Sequence, residues 1–371
     1  MLGASLRPAL VLSAALLATQ AVAAQGQGSA RELYMRACAA CHGADGRGAP
    51  AEQVGFDTPL PDFTDCGFAT REPDGDWLAV AHQGGPTRAF SELMPAFGQA
   101  LTIEQLQRTL DHLRTFCSND DWPRGELNLP RALFTEKAYP EDEAVYTLDL
   151  SLEGEGAVLN EVVYEKRFGA RNQFELAIPF GWNELGLPGA AGTAWNGGVG
   201  DVALGVKRAM WHSFQKGSIF SLTGEVILPT GDEDDGLGKG TAVFEPFASY
   251  GQVLPSGFFI HAQAGLELPF HTDKAEQEAF WRFVLGRSIA AGRWGRTFSP
   301  MLEVLAAREL ESGQPVDWDL VPQVQITLNQ RQHVMFNIGV RLPVTDTDVR
   351  ETRLVFYILW DWFDGGFLEG W

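Results

Sequence analysis

The sequence predicts two domains of different class: a short all-α module near the amino terminus, then an antiparallel transmembrane β-barrel of about twelve strands. Three observations carry this. All four cysteines, Cys38, Cys41, Cys66 and Cys117, precede residue 118 and none follows. From about residue 143 the apolar residues change from helical spacing to alternation. The 371 residues include 41 Gly, 24 Phe and 11 Trp, which suits tight turns and strands better than a helical bundle.

Charge and the first residues set the compartment. Lys and Arg number 28 against 48 Asp and Glu, a net charge of −20. Such acidity excludes a protein that works by neutralising nucleic-acid phosphates. Residues 1–24 hold one basic residue, Arg7, an apolar stretch from Pro8 to Ala18, and small residues Ala21, Ala23 and Ala24. That is the pattern of a cleaved signal peptide. The stretch is too short for a membrane anchor, which needs ~20 apolar residues. No later run reaches even ~18, so any membrane crossing must use strands.

Cys38-Ala39-Ala40-Cys41-His42 has the spacing of covalent haem attachment. Two thiols so placed can add to the vinyl groups of one porphyrin, while the adjacent imidazole faces the iron as proximal ligand. A redox dithiol would follow a βαβ pattern, and a zinc site would need two more ligands nearby; neither context is present. The distal ligand must be a thioether or an imidazole some tens of residues on. Met94, His82 and His112 qualify, whereas Met35 shares the local helix of Cys38. Met94 is the expected ligand, because Pro95 keeps a helix from running through it. His82 and His112 read as surface or packing residues.

Residues 29–117 resemble a class I monohaem cytochrome c domain. The matching features are the Arg31–Ala40 helix running into Cys38, Cys41 and His42, then Pro61-Asp62-Phe63-Thr64, Gly84-Gly85, Met94-Pro95-Ala96-Phe97, and a last helix. That helix opens on a capping box, Thr102 with Gln105, and shows Ile103, Leu106, Leu110 and Leu113 at helical spacing. The resemblance implies one covalently bound haem c, its iron held by His42 and Met94. Cys66 and Cys117 depart from the simplest family pattern. In an oxidising periplasm they could form a disulfide pinning the last helix, or remain two buried thiols.

Residues 118–142, with Pro123, Pro130 and Pro140 among mixed charges, read as a linker or a plug-like connection to a barrel spanning 143–371. Strands are expected near 143–153, 156–168, 171–182, 198–212, 217–229, 240–252, 256–269, 278–291, 296–309, 317–329, 332–343 and 351–363. In Gln173–Phe180 the apolar set is Phe174, Leu176, Ile178 and Phe180, and polar Gln173 and Glu175 take the other face. Short turns at Gly169-Ala170, Val253–Ser256 and Gln330-Arg331 alternate with longer connections at 183–197, 230–239, 270–277 and 344–350. Phe180, Trp182, Trp195, Trp211, Trp281, Trp294, Trp360 and Trp362 fall near strand ends as interface girdles would, and the chain stops on Trp371. A large β-sandwich would also alternate. Gly198–Lys207 and Leu228–Asp232 with Gly236–Gly240 resemble the outer-membrane barrels associated with the meta-cleavage pathway of phenol degradation. Asp232–Asp235 reads as a solvated loop rather than a calcium site.

Twelve strands give a backbone diameter of roughly 24 Å and a clear width of ~14 Å at most. A ninety-residue domain is about 30 Å across and cannot enter. The expected protein therefore sits in the outer membrane with its cytochrome domain in the periplasm, among membrane lipid. It would pass single electrons between a periplasmic redox partner and a small-molecule or metal donor or acceptor. The arrangement resembles fused cytochrome–porins implicated in extracellular iron oxidation, which carry a larger barrel. An alternative is a channel or transporter with the cytochrome as plug or redox gate; Glu175, Asp201, Lys207, Glu225 and Arg341 as inward polar residues suit either. With Met94 on the iron no open position is left for peroxidase chemistry, so the pattern expects an electron carrier rather than an enzyme.

Overall fold

The computed structural model describes residues 28–55, 60–153, 156–186 and 193–362. The expected signal peptide and Trp371 lie outside the described residues. By contacts the chain forms two units. The first takes the residues up to Ala69, Trp77–Pro86 and Phe90–Ser118, and the second takes Thr70–Asp76, Thr87–Ala89 and everything from Asn119.

In the first unit the regular elements are helical: α1 (Ala30–Ala37), α2 (Ala39–His42), α3 (Ala51–Val54), α4 (Cys66–Ala69), α5 (Asp74–Gln83, which runs into this unit from the second) and α6 (Ile103–Arg114). Both long terminal helices start on reciprocal capping boxes, Ser29 with Glu32 and Thr102 with Gln105, each satisfying two backbone N–H groups that a helix start leaves free. α1 packs on α6. Between them lies a buried cluster of Tyr34, Phe63 and Leu113, with Phe68, Trp77 and Phe116 against it. Cys66 and Cys117 are joined by a disulfide, with Cα atoms 5.3 Å apart.

The second unit holds one closed antiparallel barrel of twelve strands. These are β1 (Glu143–Ser151), β2 (Ala157–Phe168), β3 (Asn172–Gly186), β4 (Thr193–Val199 and Ala203–Ser213), β5 (Ser218–Ile227), β6 (Val243–Val253), β7 (Phe258–Pro269), β8 (Glu278–Arg287 and Ile289–Ala290), β9 (Thr297–Glu309), β10 (Asp317–Thr327), β11 (Val334–Pro343) and β12 (Arg353–Asp361). Sequence neighbours pair throughout. β12 closes on β1 in register from Glu143↔Asp361 to Ser151↔Arg353. Closure removes the free edges that an open sheet would present.

The alternation is inverted relative to a water-soluble sandwich. Glu165, Gln173, Glu175, Lys207, Glu303 and Asn337 are buried inside, while Tyr164, Phe174, Val206, Leu302 and Ile338 are exposed outside. An apolar outer face around a polar inner face is what a bilayer demands. Connections at the β1 start, here the near mouth, are short (169–171, 214–217, 254–257); those at the far mouth include 228–242 and 344–352.

Two details differ from expectation. The connection expected over 183–197 is largely strand, because β3 continues to Gly186 and pairs with Thr193–Val199, including Glu184↔Trp195. Trp362, expected in the girdle, is buried and stacks on Tyr164 at 5.7 Å. Trp182, Trp195 and Trp211 are exposed at strand ends as expected.

Candidate haem site and barrel lumen

α1 delivers Cys38 as its C-terminal cap, and the single turn of α2 carries Cys41 and His42. Gly43, at φ 76°, lets the chain leave that turn. Tyr34 fixes the exit: its hydroxyl donates to Gly43 O at 2.7 Å and to His42 O at 3.3 Å. Cys38 and Cys41 are free thiols beside each other while the other two cysteines are bonded. Burial pushes the Cys38 thiol up to about 11, with Cys41 adding to it, the reverse of the depressed thiol a redox dithiol needs. Burial also lowers the His42 imidazole below its ordinary range, favouring the neutral form that ligates metals. His42 Nδ1 is buried with no hydrogen-bond partner. The residues fit a covalently held haem: two thiols for attachment and one neutral imidazole for the iron.

Met94 is held by backbone. Gly85 N–H donates to Met94 O at 3.0 Å, Phe97 N–H to Ala81 O at 3.0 Å and Gly98 N–H to His82 O at 3.0 Å, which lays the Met94–Gly98 stretch along the end of α5. Glycine is required at the contact: a Cβ on Gly85 would lie 2.2 Å from Ser91 O and 3.1 Å from Met94 Cβ. Gly85→Ala should therefore displace Met94 while leaving Cys38 and Cys41 untouched. The expected absorption spectrum retains haem and gains a high-spin fraction. His112 packs its ring 5.3 Å from those of Tyr34 and Phe116, and the His82 ring lies against Gly98.

The second site is the lumen, and it is filled. From Leu127 to Asp142 the chain runs inside the barrel as a plug that rises to Phe134 and Thr135 and returns to β1, while Asn119–Asp121 stay exposed at the near mouth. Arg131 bridges Glu143 at 2.9 Å and Glu165 at 2.8 Å. Lys137 reaches Glu141 at 2.5 Å and Glu143 at 3.0 Å. Thr135 donates through N–H and Oγ1 to Glu303 at 2.6 and 2.5 Å. Tyr357 donates to Arg131 O at 2.6 Å, Arg282 to Phe134 O at 2.6 Å, and the Glu141 N–H to Gln173 at 2.7 Å. Leu127, Ala138 and Tyr139 pack on Ala209 and Ile219, and Leu129 and Ala132 on Phe259, Val284 and Met301. Above Phe134 a cavity of about 310 Å³ remains, lined by Glu278, Arg282, Asp319 and Arg341.

Of the residues expected to face inward, Glu175 and Lys207 are buried on the inner wall and Arg341 pairs with Asp319 at 2.7 Å. Glu225 joins Glu175 and the plug's Glu136 in a carboxylate group. Asp201 instead sits in the break of β4 and accepts from Gly231 N–H at 2.9 Å and Lys239 N–H at 2.7 Å, tying down the 228–242 connection. In Asp232–Asp235 the Asp232 carboxylate accepts from the next backbone N–H groups, a turn-type pattern.

Residues 140–349 match the family described as "Putative MetA-pathway of phenol degradation". The chain belongs to that family. The match covers nearly all of the family barrel from just before β1 to the far-mouth connection after β11. Residues 26–113 match "Cytochrome C oxidase, cbb3-type, subunit III", so a cytochrome c-type domain precedes the family barrel. Among solved structures, an outer membrane channel from Pseudomonas putida F1 is 12% identical over 62% of this chain and 99% of that one, with a TM-score of 0.42. The KdgM porin is 9% identical over 59% and 98%, with a TM-score of 0.37. The NanC porin is 7% identical over 59% and 98%, with a TM-score of 0.39. No curated protein matches the chain.

Proposed function

We propose that this chain is an exported electron-transfer protein of the outer membrane, with its cytochrome domain in the periplasm. Cys38 and Cys41 tether one haem c, His42 and Met94 ligate its iron, and single electrons pass between a periplasmic carrier and a small donor or acceptor at or within the barrel. The carrying observation is the free thiol pair beside His42, whose Nδ1 is buried and unpaired, on the same chain as a barrel that is apolar outside and polar inside. Bound haem supplies one-electron exchange at its iron. The protein's part is to hold both axial side chains, Met94 through the Gly85 contact. Short connections at the near mouth, where the chain enters β1, support the periplasmic side by the loop-length rule.

The polar inner wall favours a second reading, a solute channel closed by the plug. The two separate in intact cells whose haem has been reduced. A membrane-impermeant oxidant added outside should reoxidise the haem if the first reading holds. An unchanged haem spectrum, combined with solute uptake that rises when the plug is shortened, supports the channel instead.

A further inference from the structure

Glu136, at the plug apex, meets Glu175 of β3 and Glu225 of β5 in the lumen. One carboxylate oxygen of each lies within 4.8 Å of the others, the one such group among the described residues. The backbone register makes this possible. Gly205 of β4 stands between Glu175 and Glu225, paired with both. The Cβ position of Gly205 lies 3.4 Å from Glu175 Cβ and 3.5 Å from Glu225 Oε2, so both glutamates flank the glycine at contact distance. Against three carboxylates stand the Lys207 ammonium, 3.2 Å from Glu136 Oε2, and the Arg131 guanidinium, which also acts on Glu136, while Gln173 Nε2 donates to Glu175 Oε2 at 3.3 Å.

An independent observation comes from a neutral side chain. Thr223 precedes Glu225 by two residues, on the same inward face of β5. It is 6% exposed, and its Oγ1 is buried with no hydrogen-bond partner. A buried hydroxyl without a partner is costly in an interior unless a ligand uses its lone pairs.

We propose that Glu136, Glu175, Glu225 and Thr223 Oγ1 form a binding site for a divalent metal cation in the lumen. All four donors are oxygen, which selects hard cations of the calcium, magnesium and manganese class over metals that prefer imidazole or thiolate. The wall continues the carboxylates on both sides. Glu143, Glu165 and Glu175 are paired across β1, β2 and β3, Glu225 pairs with Glu245, and Glu267 pairs with Glu278. Glu143 opens β1 at the near mouth and Glu278 opens β8 at the far mouth. With strands tilted ~40° and ~4.8 Å apart, this row climbs about 20 Å along the lumen. Between the site and the far mouth this row carries Glu245, Glu267 and Glu278, with Lys239 paired to Glu267 and Arg282 acting on Glu245 and Glu278. The inference needs only the lumen and is independent of the haem.

The test is Mn²⁺ titration of the full-length haem-loaded protein in detergent, with free Mn²⁺ read by electron paramagnetic resonance. The expected result is saturable binding that is lost in Glu225→Gln and in Glu136→Gln and retained in Asp232→Asn. No saturable binding by the unaltered protein, or binding that survives both glutamine substitutions, overturns the proposal. So does binding that disappears with Asp232→Asn. If Glu225→Gln does not form a barrel, Glu136→Gln decides, since it lies on the plug and leaves every strand intact.

Discussion

The double substitution Cys38→Ala, Cys41→Ala should give a barrel that still shifts on boiling and carries no covalent haem. The two units have separate cores, one around Tyr34, Phe63 and Leu113, the other between the plug and the inner wall. Loss of attachment in the first therefore leaves the second intact. Met94 substitutions dissect the other face of the iron. Met94→Ala should keep haem attached and turn it high-spin, since no second ligand is offered. Met94→His should restore the low-spin spectrum and lower the reduction potential, because a thioether ligand raises it relative to imidazole. Absorption spectra and redox titration read all three. A low-spin Met94→Ala protein with an unchanged potential would remove Met94 from the iron.

Arg131→Met should have the largest effect on the barrel. Arg131 bridges Glu143 and Glu165, whose side chains are 1% and 0% exposed. Removing one partner of a buried ion pair costs about 3–5 kcal/mol, because the remaining charge stays buried without compensation. The measurement is the denaturant concentration at which the boiling-type shift appears, together with the ion conductance of the protein in planar bilayers. A lower midpoint and an opened conductance are expected, since the plug would lose its tie to Glu165 of β2 and one of its two ties to Glu143 of β1. Adding Glu165→Gln to Arg131→Met should recover part of the midpoint by removing the orphaned charge, whereas Glu143 keeps Lys137 as its partner. A midpoint unchanged by Arg131→Met would mean that the plug does not depend on this pairing.

The strands were legible because a membrane barrel writes its two solvents into alternate residues. Phe174 and Glu175 belong to opposite faces, and period-two reading finds them without any knowledge of pairing. The helix starts were legible for a local reason: Thr102 and Gln105 satisfy each other's backbone, so the signal lies within four residues. What the sequence hid depends on partners far away. Thr193–Val199 contains two glycines and no clean alternation, yet it is strand because β3 supplies its hydrogen bonds. The plug has no period at all. Its Arg131, Lys137 and Glu141 look like the solvated charges of a linker, and they are buried because Arg131 and Lys137 find Glu143 and Glu165 on the inner wall and Glu141 pairs with Lys137. The role of Asp201 is hidden for a similar reason: at the break Gly200–Val202 its carboxylate is taken up by the backbone of the 228–242 connection.

The measurement that tests the central claim most directly is a haem-stained gel of the separated outer-membrane fraction, run unheated and boiled. Covalent haem survives boiling, whereas a closed barrel changes mobility when it opens. One stained band in the outer-membrane fraction that shifts on boiling is the predicted result. It would place haem and barrel on one chain in that membrane. A stained band that remains in the soluble fraction and does not shift would contradict the account.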